Sequence, residues 1–134
     1  MPAGSDSVGI VFFDGRMLRP GTGEGVIMVN PNAEFLKPDD CMLLLVDVQK
    51  VMLDLCEDHA RLVKHTDALI QVAKVFNLPI LFSVHNTEKL GGFLPELLHK
   101  VDDPLVLNKV EFSCLENEGM MKAILGMGRK TLLV

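Results

Sequence analysis

Hydrophobic positions along this chain follow two rhythms. Cys41-Met-Leu-Leu-Leu-Val46 is an unbroken apolar run that stops at Asp47, and Pro79-Ile-Leu-Phe-Ser-Val84 has the same character. Apolar runs of this length are typical of strands covered on both faces in a parallel sheet. Between them Leu55, Leu62, Val63, Leu69, Ile70, Ala73 and Phe76 recur at helical spacing, which predicts a helix over 55–76. Asn77 can take the left-handed conformation that ends a helix, and Pro79 cannot extend one but is tolerated at a strand's first position. Strand, helix and strand in this order form a βαβ unit, with parallel strands and a right-handed crossover.

The pattern continues more weakly. After Gly91-Gly92, Leu94-Pro-Glu-Leu-Leu98 predicts a short helical turn, and Pro104-Leu-Val-Leu-Asn-Lys109 a third strand. Ser113 and Glu116 have capping-box spacing, so a helix is expected from there to Leu125, ended by Gly126-Met-Gly128. Thr131 to Val134 read as a final strand. The fold expected is α/β, a three-layer Rossmann-like arrangement around a mostly parallel sheet.

Residues 1–38 differ from the rest. Val8-Gly-Ile-Val-Phe-Phe13 and Gly25-Val-Ile-Met-Val29 are short β-type runs, separated by turn chemistry at Asp14-Gly15 and Gly21-Thr-Gly-Glu-Gly25. They predict a hairpin or edge extension, with a loop through Asn30-Pro31 and Lys37-Pro38-Asp-Asp40 leading into a domain over 39–134. The three glycines 21, 23 and 25 are not followed by a helix that could offer its N-terminus to a phosphate, so they read as a plain turn.

Composition narrows the function classes. At 134 residues the chain holds at most one domain, and with 49% hydrophobic but only 5% aromatic residues its core must be aliphatic. Absence of Trp and Tyr argues against a stacking platform, and a net charge of −5 against a phosphate-backbone footprint, so no nucleic-acid partner is expected. No basic segment precedes an apolar one and no apolar run approaches membrane-spanning length, so neither a signal peptide nor a membrane partner is expected. Three cysteines without paired spacing suit a reducing, cytoplasmic setting.

Two residues stand where chemistry is usually done in such folds. Asp47 follows the first apolar strand and so sits at its carboxyl end, where open α/β sheets place their ligand crevice. A partly desolvated carboxylate there can act as a general base, or merely cap the turn. Lys109 occupies the corresponding place after the third strand. It reads either as a surface lysine or as a cation that holds a carboxylate ionised and stabilises a developing anion. Location at the same sheet edge favours reading the two together.

In this order and spacing the motifs resemble the isochorismatase-like hydrolase superfamily, which includes nicotinamidases and related amidases. The resemblance covers roughly residues 39 to 134. Leu43-Leu-Leu-Val-Asp47-Val-Gln49 is similar to the family's opening strand and Asp-x-Gln signature, and Pro79-Ile-Leu-Phe to its second strand. Lys109 followed by Phe112-Ser113 resembles the catalytic-lysine segment, and Gly128-Arg-Lys-Thr-Leu-Leu-Val134 the strand leading to the nucleophilic cysteine. Leu90-Gly-Gly-Phe-Leu-Pro-Glu-Leu97 further resembles a branch of small isochorismatase-domain proteins.

The resemblance implies a cysteine hydrolase acting on C–N or related bonds of a small-molecule substrate without a cofactor. Asp47 would deprotonate the thiol, Lys109 would assist, and a covalent intermediate would be hydrolysed. The cysteine itself would lie just past Val134, so the chain would carry two members of the triad and be catalytically incomplete at its C-terminus. Of its own cysteines, Cys41 lies a strand length from Asp47, Cys56 reads as a small core residue on the first helix, and Cys114 is the least remote substitute. Gln49 reads as orienting a loop beside the site or as a solvent-facing helix entry. His85, at the end of the second strand, reads as touching substrate or as bonding within the crevice wall. No metal site is expected, because His85-Asn-Thr-Glu88 lacks the Asp-x-His spacing of nicotinamidases, and His59, His65 and His99 fall on helical surfaces. An uncovered sheet edge beside the last strand would favour a homo-oligomer. The competing readings are a noncatalytic binding or oligomerisation module using the same sheet and, less well supported, a flavodoxin-like nucleotide binder.

Overall fold

The computed structural model describes Ile10, Val11 and residues 36–134. Five parallel strands form one sheet in the order β1-β5-β2-β3-β4: β1 is Ile10–Val11, β2 Cys41–Val46, β3 Ile80–His85, β4 Leu105–Lys109 and β5 Thr131–Leu133. Helices α1 (Lys50–Leu53), α2 (His59–Val75), α3 (Thr87–Leu90), α4 (Pro95–Leu98) and α5 (Glu118–Gly126) fill the connections. Apart from Ile10–Val11, the hairpin expected near the amino end lies outside the described residues. Among the described residues no helix is long and apolar enough to cross a membrane.

Alternation along the strands separates two cores. Leu43 and Leu45 of β2, with Phe82 and Val84 of β3, face Ile70 and Ala73 of α2 and are joined by Phe93 and Leu97. Met42, Leu44 and Leu81 face the other way, against Met120 of α5 and Cys114. This follows from the side-chain period of two in a strand together with the crossover rule. The chain steps from β2 to β3 in one direction and from β4 back across to β5 in the other, so α2 and α5 cover opposite faces. The sheet is therefore buried on both sides at its centre, the three-layer arrangement that the apolar runs predict.

Helix boundaries depart from the apolar pattern. The helix predicted over 55–76 begins instead at His59, because the Asp58 carboxylate accepts the Arg61 amide hydrogen and caps it there. Leu55 is 82% exposed, in the turn between α1 and α2. The helix predicted from Ser113 breaks into a 3-10 turn over Cys114–Glu116, capped by Ser113, and then α5, capped by Asn117 through the Met120 amide. Ser113 and Asn117 each offer a good cap, and the chain uses both. Asn77 adopts φ 53°, the left-handed ending its identity suggests.

Phe82 and Phe93 meet edge to face, with ring centroids 4.9 Å apart and planes at 81°, and Phe82 is fully buried between β2 and β4. Emptying that position is expected to cost about 4 kcal/mol. In urea unfolding, Phe82→Ala should lower the midpoint with an unchanged slope. A loss under about 1 kcal/mol would contradict this packing.

Candidate functional site

Register brings three strand ends to one place. Val46 pairs with Ser83, and His85 pairs with Lys109, so Asp47, the end of β3 and Lys109 gather at the carboxyl edge of the sheet. Asp47 leaves the strand at φ 53°, a left-handed conformation that few non-glycine residues other than Asn and Asp tolerate. Its amide donates to the Ser83 carbonyl at 3.1 Å, and its own carbonyl accepts from the Gln49 amide at 2.8 Å. The turn therefore holds the backbone while the carboxylate swings towards β3 and β4.

Lys109 is the unusual member. Its side chain is 0% exposed, whereas that of Asp47 is 19% exposed, and Nζ donates to Asp47 Oδ2 at 2.6 Å. The same ammonium approaches the carbonyl oxygens of Glu111 and Phe112 at 3.4 and 3.5 Å. Taking a cation out of water costs several kcal/mol, which only a close counter-charge and further acceptors offset. Glu111 and Asn117 hold that second set of acceptors in place. Asn117 Nδ2 donates to Glu111 Oε2 at 2.8 Å, and this bond holds the Glu111 carboxyl below its ordinary pKa.

The other carboxylate oxygen is occupied as well. Ser83, fully buried on β3, donates from Oγ to Asp47 Oδ1 at 2.7 Å, and the Cys114 thiol lies 3.5 Å from that hydroxyl. Sequence reasoning passed over Ser83. The only signal was a hydroxyl inside an otherwise apolar strand, and its partner is 36 residues away.

Gln49 is fully buried, not solvent-facing, and both of its amide hydrogens are used. Nε2 donates to the carbonyls of His85 at 3.0 Å and Gly91 at 2.6 Å, while Oε1 accepts the His85 amide hydrogen at 2.7 Å. A bridge to Phe93 pins the same loop to α1's start. Gln49 thus sits as a fastener of the β3 end, and leaves His85 half-buried next in register to Lys109.

The cysteines are scattered. Cys41 is buried at the amino end of β2, where desolvation first, and then the Asp40 charge, push its thiol up. Cys56 is exposed in the turn after α1, with its thiol on the Met52 carbonyl, so it is neither helical nor a core residue. The sequence reading failed there because the helix begins after it. Cys114 is buried and turned to Ser83. His59, His65 and His99 are exposed, and among the described residues no three His, Cys, Asp or Glu side chains converge as a metal-binding group.

A carboxylate and a buried ammonium therefore meet at the carboxyl edge of a parallel sheet. The chain is 33% identical over 103 residues to a probable hydrolase, YcaC, of Escherichia coli, a match covering 74% of this chain and 50% of that protein. In three dimensions it superposes on the E. coli YcaC crystal structure, described as an octameric hydrolase of unknown specificity, with a TM-score of 0.68 at 29% identity over 74% of this chain and 51% of that one. YcaC from Pseudomonas aeruginosa gives 0.63 at 26% identity, covering 74% and 52% of the two chains. An isochorismatase from Pseudomonas putida gives 0.64 at 18% identity, covering 76% and 59%, a likeness of fold alone. No family model matches the chain. It belongs to the isochorismatase-like hydrolase superfamily, and it spans about half the length of the YcaC relatives it matches.

Removing the ammonium would leave the Asp47 carboxylate, 19% exposed and bonded to Ser83, without its counter-charge. Lys109→Ala is therefore expected to lower unfolding stability by about 3 kcal/mol. Lys50→Ala, which breaks the exposed ion pair with Asp54 at 2.8 Å, should cost under about 1 kcal/mol. Equal urea midpoints for the two variants would contradict the burial of Lys109.

Proposed function

We propose that this chain carries the base and the ammonium of an isochorismatase-like cysteine hydrolase that acts on C–N or related bonds of a small molecule. The observation that carries the reading is the 2.6 Å contact between Lys109 Nζ and Asp47 Oδ2 at the carboxyl edge of the sheet. In this reading Asp47 takes the proton from the nucleophilic thiol, and Lys109 holds the carboxylate in place and stabilises the anion that develops on substrate. His85 touches substrate from the end of β3, and Gln49 contributes by fixing the His85 main chain.

The thiol belongs after β5. The β2–β5 register sets Leu43 beside Leu133, so a residue three positions beyond Val134 would come level with Asp47. Cys41, Cys56 and Cys114 do not occupy that place, and the 134 residues alone would then lack the nucleophile. P. aeruginosa YcaC is described with covalent acrylamide, which makes that electrophile a suitable probe.

A second reading is an assembly module, and one observation favours it. Leu43, Leu69, Val72, Leu78 and Leu133 line an apolar groove of about 440 Å³ between α2 and β5. E. coli YcaC is an octamer, and in this reading copies of the chain would associate likewise.

The test is acrylamide labelling, followed by mass spectrometry, of a chain continued through the cysteine after β5. The hydrolase reading expects one adduct on that thiol, formed about 10²-fold more slowly or less in Asp47→Ala and Lys109→Ala. Equal labelling rates in all three proteins would overturn the reading and leave the assembly module.

A further inference from the structure

We propose that Ser83 is the positioning residue for the Asp47 carboxylate, and that Cys114 in turn orients Ser83. The proposal rests on the reading of Asp47 as a base. Ser83 is fully buried between Phe82 and Val84, on the strand face it shares with Leu81, where an alanine would pack at little cost. A hydroxyl there must find partners, and it finds two. An ionised carboxylate can only accept, so at 2.7 Å Ser83 Oγ donates to Asp47 Oδ1. Its lone pairs are then free to accept, and the Cys114 thiol donates to them at 3.5 Å.

The consequence is geometric. Lys109 on β4 holds Oδ2, and with that contact alone the carboxyl plane could turn about it. Ser83 on β3 holds Oδ1, and two donors on different oxygens define the plane. The Asp47 amide on the Ser83 carbonyl adds a second tie between the same two residues. The Asp47 side chain stays 19% exposed, and in the proposed reading a thiol proton is taken from that partly open side. Cys114 is the buried end of this chain of donors, with its thiol turned to Ser83. Its role is to set the direction of the hydroxyl hydrogen.

The experiment uses the 134-residue chain labelled with 13C at aspartate side-chain carboxyls, with the Asp47 resonance assigned by Asp47→Asn. Ser83→Ala should move that resonance away from its position in the parent at the same pH, while Ser83→Thr, which keeps the donor, should restore it. Ser83→Cys, close to isosteric but a weaker donor, should shift it partway in the same direction. If Ser83→Ala does not fold, the Ser83→Cys shift decides. An Asp47 resonance unmoved in a folded Ser83→Ala or Ser83→Cys variant would overturn the proposal, as would Ser83→Thr moving as far as Ser83→Ala. Because this signal needs no turnover, it separates from the acrylamide test: labelling can fail while the resonance still moves with Ser83, or the reverse.

Discussion

A single buried cation organises the carboxyl edge of this sheet. Lys109 is wholly enclosed, and the cost of desolvating its ammonium is several kcal/mol. The Coulomb attraction to a carboxylate about 4 Å away is of the order of 4 kcal/mol at an effective dielectric near 20, so the account closes only with a direct contact and additional acceptors. Asp47 Oδ2 and the carbonyls of Glu111 and Phe112 supply these. The carboxylate must therefore stay beside β4, although it follows β2. The strand between them, β3, mediates with the Ser83 hydroxyl, and the registers that align Val46 with Ser83 and His85 with Lys109 make the arrangement possible.

Around that pair the loops are tied by side chains that serve the backbone. Gln49 spends both amide hydrogens on the carbonyls of His85 and Gly91, and Asn117 holds Glu111 while capping α5. These bonds fix the chain where the strands end. The core packed against α2 reaches this edge through Val48 and Phe93, so the pair stands on packed apolar side chains.

Much of this framework was legible in the chain. The apolar runs located β2 and β3, and an abrupt change to charge at Asp47 and at Lys109 marked two strand ends on one edge. Less was legible where local signals competed. Leu55 fits the helical period of α2, but Asp58 caps the helix after it, which leaves Leu55 and Cys56 exposed. Ser113 and Asn117 both cap, and a 3-10 turn takes the space between them. The Ser83 and Gln49 bonds span 36 residues or more, and no local pattern announces such partners. The family resemblance supplied the order of the motifs, and the parallel sheet and the likeness to YcaC agree with it.

The measurement that bears most directly on the account is a double-mutant cycle between Asp47 and Lys109, read by urea unfolding of the parent, Asp47→Asn, Lys109→Met and the combined variant. If the two groups form the buried pair on which the edge depends, their coupling should exceed about 1 kcal/mol, the usual ceiling for exposed ion pairs. A coupling near zero would mean that each group is accommodated without the other, and would contradict the central place given to their contact.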